Sequence, residues 1–101
     1  MRDEPLIGNQ AKVELNSCIE DGAVVYTRHF RDELVEDNLT MEDVVTVCRS
    51  GAIVVPAEKD IRTGDWKYRI EGLTTDQTRI AVVFCLRPDK AVMITVFERT
   101  R

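Results

Sequence analysis

A chain of 101 residues that is 44% hydrophobic can bury one core and is too short for two, so a single domain is expected. Its formal net charge of −4 weighs against a surface coated in phosphate-binding cations, and no run approaches the ~20 apolar residues of a membrane span. Three cysteines, odd in number and far apart in apolar runs, argue against a disulfide framework, and with one histidine in the chain they form no metal-binding motif.

The start, "MRDEPLIGNQ", is acidic and lacks the apolar core of a signal peptide, so the chain is expected in the cytoplasm and off membranes. The net charge conceals a division. Residues 1–51 hold five Lys/Arg against eleven Asp/Glu, whereas residues 52–101 hold nine against seven. An anionic ligand is expected to meet the second half.

In chain order, Ala11, Leu15, Cys18 and Ile19 recur at helical spacing, which predicts an amphipathic helix ended by Gly22, with residues 1–21 as an N-terminal helical segment. "AVVY" reads as a brief strand or an extended connector. From Arg28 to about Asp37 the stripe Phe30, Leu34 and Val35 predicts a second helix, closed by Asn38. Thr40 with Asp43 three residues on resembles a capping box for a third helix, whose buried stripe is Met41, Val44, Val45 and Cys48. Gly51 stands where a left-handed C-terminal residue is wanted, and residues 22–50 thus form a helical pair.

After Gly51 the period changes from helical to alternating, so residues 51–98 are expected to form an antiparallel sheet. "AIVVP", "DWKYRIE", "RIAVVFCL" and "AVMITVFE" give four strands in meander order, with "RPDK" as a tight connection. The expected class is α+β, N-terminal helices on a C-terminal four-stranded sheet. Alternation puts Trp66, Tyr68 and Ile70 on the helix side with Ile80, Val82, Phe84, Leu86, Val92, Ile94 and Val96. The outer face then shows Lys67, Arg69 and Arg79 beside Ala81, Val83, Cys85, Met93, Thr95 and Phe97. That mixture is too apolar to be fully wet, and the N-terminal segment, a second copy of the chain or RNA is expected over part of it.

The stretch "HFRDELVEDNLTMEDVVTVCRSGAIV", followed by "WKYRIEG", "IAVVF" and "ITVF", resembles a small bacterial domain family of unknown function. Its pattern runs H-A-x-x-R-M, a capped helix, a glycine, a K/R-Y-x-[IV]-x-G strand and a final [IV]-T-V-[YF] strand. The likeness spans Val24 to Phe97, and its distinctive positions are His29, Thr40, Asp43, Gly51, Tyr68, Gly72 and Thr95. That family is placed with the barnase, colicin and RelE-like ribonuclease toxins, which implies a RelE/barnase-like fold, metal-free RNA cleavage without a cofactor, and an antitoxin partner. Where the pattern has arginines this chain has Glu33 and Asp37, which removes two cations from the helix that carries the histidine.

Metal-free RNA cleavage requires a group that moves the 2′-hydroxyl proton and cations for the charge developing on phosphorus. The resemblance implies His29 as base or acid, with Tyr68 and Arg69 completing the catalytic set and Lys67, Arg69 and Arg79 binding RNA. Each has a plainer reading. A lone histidine near a helix start caps or packs, Lys67 and Arg69 fit a solvated strand face, and Tyr68 fits the core. His29 is expected at the rim of the helix–sheet contact, partly buried. Three classes of function follow: a toxin-like endoribonuclease, an inactive binding module of the same fold, or a homodimeric scaffold.

Overall fold

The computed structural model describes residues 4–99. Its elements run α1 (Gly8–Glu20), β1 (Val24–Tyr26), α2 (Arg28–Glu36), α3 (Met41–Ser50), β2 (Glu58–Lys59), β3 (Trp66–Leu73), β4 (Arg79–Arg87) and β5 (Lys90–Glu98). The class is α+β, as expected, but the sheet is five-stranded and mixed, in the order β1-β5-β4-β3-β2. The additional strand comes from "AVVY", the segment expected as a brief strand or an extended connector: Val24–Tyr26 pair in parallel with Ala91–Met93. "AIVVP" is not a strand. Only Ala52 bridges to Glu71, Ile53 packs beside Gly8, and the strand next to β3 begins at Glu58.

The helix ends follow from local chemistry. Gly22 (φ 71°) and Asn38 (φ 56°) take the left-handed conformation after α1 and α2. Behind them, Ala23 N donates to Cys18 O at 2.8 Å and Leu39 N to Leu34 O at 2.8 Å, the paired closure that satisfies orphan carbonyls. Thr40 Oγ1 accepts from Asp43 N at 3.2 Å while Asp43 Oδ2 accepts from Thr40 N at 2.9 Å, so the capping box is formed. Thr40→Ala is expected to cost about 1 kcal/mol with the fold retained, read as a lower denaturation midpoint at unchanged slope.

Gly51 is not left-handed: its φ of −80° and ψ of −175° are open to any residue. Glycine is required there by a close approach. A Cβ on Gly51 would sit 2.4 Å from Glu71 O and 2.6 Å from Val47 O, because the end of α3 lies directly against β3. Across the junction α1 closes α3: Lys12 Nζ donates to Gly51 O at 2.7 Å and Asn16 Nδ2 to Cys48 O at 2.8 Å. A cation at a helix C-terminus is favoured by the macrodipole.

The core lies between the helices and one sheet face, where Ala11, Leu15, Phe30, Val44, Val47 and Cys48 meet Tyr68, Ile70, Ile80, Val82, Phe84, Ala91, Met93 and Val96. Val35, expected in the stripe of α2, is 81% exposed. The parity expected of β5 fails at its centre. Between the pairs Val83–Thr95 and Phe84–Met93, β5 holds an extra residue, Ile94. This bulge turns Ala91 and Met93 inward in place of Val92 and Ile94, and leaves Val96 inward and Phe97 outward. α1 joins the core, so it does not cover the outer face. No helix among the described residues is long and apolar enough to cross a membrane.

Candidate functional site

β1 is only three residues long and pairs with β5 no further than Met93, so the remaining edge of β5 needs other partners. α2 supplies them. Thr27 N donates to Met93 O at 3.1 Å and its hydroxyl donates to Ile94 O at 3.0 Å, while Thr27 Oγ1 also accepts from Phe30 N at 3.1 Å as the N-cap of α2. One turn on, Glu33 Oε1 accepts from Val96 N at 3.1 Å and from the hydroxyl of Thr95. Phe30 anchors the helix in the core from its other side.

His29 stands four residues before Glu33, the spacing that brings side chains together on a helix. Its Nε2 lies 3.3 Å from Glu33 Oε1, with the imidazole 68% exposed and the carboxylate 21% exposed. The imidazole is therefore accessible and held by a carboxylate that is itself tied to β5. Because Thr95 pairs with Val83, the two side chains share the outer face, and the His29–Glu33 pair borders that face. Removing the carboxylate leaves Val96 N–H at an unpaired edge. Glu33→Ala is expected to destabilise the fold by about 1–3 kcal/mol, as measured by chemical denaturation.

The outer face carries the cations. Arg69 Nε lies 2.9 Å from Glu71 Oε2, and Arg99 Nε 3.5 Å from Glu71 Oε1, with the Glu71 side chain only 9% exposed. Beside them a groove of about 400 Å³ runs between the segment Val55–Glu58 and the strands, lined by Lys67, Arg69, Val83 and Phe97. The chain's own segments and long side chains thus cover part of this face: Ala81, between Glu71 and Phe97 in the register, is fully buried, and Cys85 nearly so.

The profile of the family described as "Domain of unknown function (DUF4258)" matches residues 26–98. The chain belongs to that family. No curated protein and no solved structure matches it. The match begins at Tyr26 and so takes in α2, α3 and the sheet from β2 to β5, with His29 and the outer face inside it except for Arg99, one residue beyond its end.

Within this DUF4258 domain the sequence-predicted residues fall into three places. His29 is at the β5 edge, more exposed than the partly buried position expected of it. Lys67 and Arg69 are together on the outer face of β3, and Arg79 is exposed at the start of β4. Tyr68 is on the other side: it is buried, stacks on Phe84 at 5.5 Å, and its hydroxyl accepts from Leu6 N at 3.0 Å. His29 is thus not brought against Tyr68 or Arg69. Arg69, Val83 and Thr95 are consecutive across the sheet, so at the usual strand spacing roughly 10 Å separates the backbones of Arg69 and Thr95. Sequence reasoning missed Glu33 as a partner of His29, although the four-residue spacing signalled it. It also missed Thr27 as the cap, and Glu71 and Arg99 as partners of the outer cations.

Of the three thiols, Cys18 on α1 precedes the matched residues, Cys48 is in the core, and Cys85 lies under the outer face opposite Lys67. Burial pushes Cys48 up to about 12 and raises Cys18 and Cys85 above the ordinary thiol value, so the nucleophilic thiolate is suppressed. Cys48 and Cys85 are buried, while Cys18 is half-buried. Cys18 is expected to react first with a thiol reagent, and Cys48 only after unfolding. Rapid native labelling of Cys48, followed by mass spectrometry, would contradict this.

Proposed function

We propose that this domain is a metal-free endoribonuclease of the toxin type, with a RelE/barnase-like arrangement in which His29 moves the proton. The observation that carries the reading is the exposed imidazole fixed by Glu33, a carboxylate held in turn by Thr95 and Val96. A base oriented by an acid and open to solvent suits proton transfer. With Nε2 on the Glu33 side, 3.3 Å from its Oε1 as a charge contact, Nδ1 is the nitrogen that takes the 2′-hydroxyl proton. The 2′-oxygen then forms a bond to phosphorus, the bond from phosphorus to the 5′-oxygen breaks, and the leaving oxygen takes a proton from water. Arg69 and Lys67 offset charge on the RNA backbone. Tyr68, with its hydroxyl engaged and its ring in the core, serves the fold in this reading.

Glu33 occupies a position where the family pattern has an arginine. Its acid removes a cation from the helix and supplies the orientation of the imidazole instead. The test is incubation of the purified chain with single-stranded RNA in excess chelator, together with induced expression in cells. Cleavage to 2′,3′-cyclic phosphate ends and arrest of growth, relieved by a co-expressed antitoxin, support the reading; intact RNA at stoichiometric protein overturns it.

The separation between His29 and the cations favours a second reading, a catalytically inactive binding or dimerisation module of the same fold. RNA or protein capture without cleavage, or a stable dimer by sedimentation, identifies it.

A further inference from the structure

We infer that the outer sheet face carries a binding track for single-stranded RNA in which Arg99 acts with Arg69, both positioned by Glu71. This rests on the reading of RNA as the ligand, and adds residues and a strandedness that the reading does not contain. The backbone of Glu71 is fixed by reciprocal hydrogen bonds with Ala52, each 2.9 Å, so its nearly buried carboxylate is a rigid post. Two guanidinium groups share that one carboxylate, which leaves one positive charge in excess. Arg69 is paired by charge, since its Nε makes no aligned hydrogen bond at 2.9 Å, and the Arg99–Glu71 contact at 3.5 Å is likewise a charge pair. Such a guanidinium is pre-set to take a second anion.

The same face extends this charge in both directions. Lys67 lies two residues before Arg69 on β3, on the same face, and Arg79 pairs with Leu73 at the far end, so the cations span about 20 Å at the usual rise per residue. Arg99 is tied into this row through its backbone, whose N–H donates to Arg79 O at 2.8 Å. Asp65 is held by Arg87, while four cations stand against Glu71, Asp60 near Lys67, and the exposed Glu58 at the groove wall. The groove between them has an apolar floor of Val83 and Phe97 and an apolar wall at Val55 and Pro56. A base face can rest there only if the base is unstacked, which a duplex does not offer. Phosphates on the arginines with a base over Phe97 is the arrangement these surfaces fit.

The experiment uses the full chain and a fluorescent 2′-O-methyl oligonucleotide, which cannot be cleaved because the attacking hydroxyl is blocked. Binding is measured over a range of salt concentrations. Arg99→Ala, at an exposed position, is expected to weaken binding several-fold and to lower the salt slope by about 0.7, the value for one lost single-strand contact. Arg69→Lys, which keeps Glu71 neutralised, should weaken binding as well, while Arg31→Ala on α2 should leave it unchanged. The hybridised duplex of the same sequence should bind more weakly than the single strand. Unchanged affinity and slope in Arg99→Ala, or equal loss in Arg31→Ala, overturns the track, as does a duplex that binds equally well. Binding by the 2′-O-methyl strand with no cleavage of the unmodified RNA leaves the track standing and removes the ribonuclease.

Discussion

His29→Ala is expected to reduce RNA cleavage by about 10²–10⁴-fold, the usual contribution of a positioned acid or base, while leaving the denaturation midpoint almost unchanged. The two halves of this expectation have separate causes. The imidazole is 68% exposed and Glu33 is the one charged partner found for it among the described residues, so little packing is lost, and an exposed substitution of this kind stays within about 0.5 kcal/mol. Glu33 keeps its bonds to Thr95 and Val96 without the histidine, so the edge of β5 remains closed. A variant that melts like the parent and still cleaves removes His29 from the chemistry. A variant that loses stability shows that the histidine is structural.

Gly51→Ala should have the largest effect on folding, with a loss of about 3 kcal/mol or more, because the added methyl has no direction in which to move. Its neighbours would be the carbonyl oxygens of Glu71 and Val47, both backbone atoms. Relief would require α3 to withdraw from β3, and Gly72 shows how tight the seam is, since a Cβ there would lie 2.9 Å from Gly51 Cα. The measurement is urea denaturation of the variant beside Thr40→Ala, which lies on the same helix and should be far milder. Equal midpoints for the two would show that the seam is looser than these distances imply.

What could be read from the sequence depended on whether the controlling interaction was local. Asn38, Gly22 and the Thr40–Asp43 box act within a few residues, and each was legible. The alternation of β3 and the apolar run of β4 were legible for the same reason. The bulge in β5 was not, because "AVMITVF" is apolar in both phases and nothing in its composition marks Ile94 as the residue without a partner. The short extended segment "AVVY" was legible but its place in the sheet was not, because its pairing with β5 crosses most of the chain, and "AIVVP" misled because it is rich in β-branched residues yet makes only one bridge to β3. At the candidate site His29 was legible as the lone histidine. Its relation to the cations was not, since that depends on which face Thr95 takes after the bulge.

The plugging of β5 by Thr27 and Glu33 also bears on how the molecule can assemble. An open strand edge is where a second chain adds itself to a sheet, and that route leads to runaway stacking as readily as to a defined pair. Here the groups that would recruit such a strand, Ile94 C=O and Val96 N–H, are already spoken for by side chains of α2. Copies of this chain can therefore meet through side chains on their faces but cannot lengthen the sheet at this half of β5, and a substitution at Glu33 would reopen a site for aggregation as well as release the histidine.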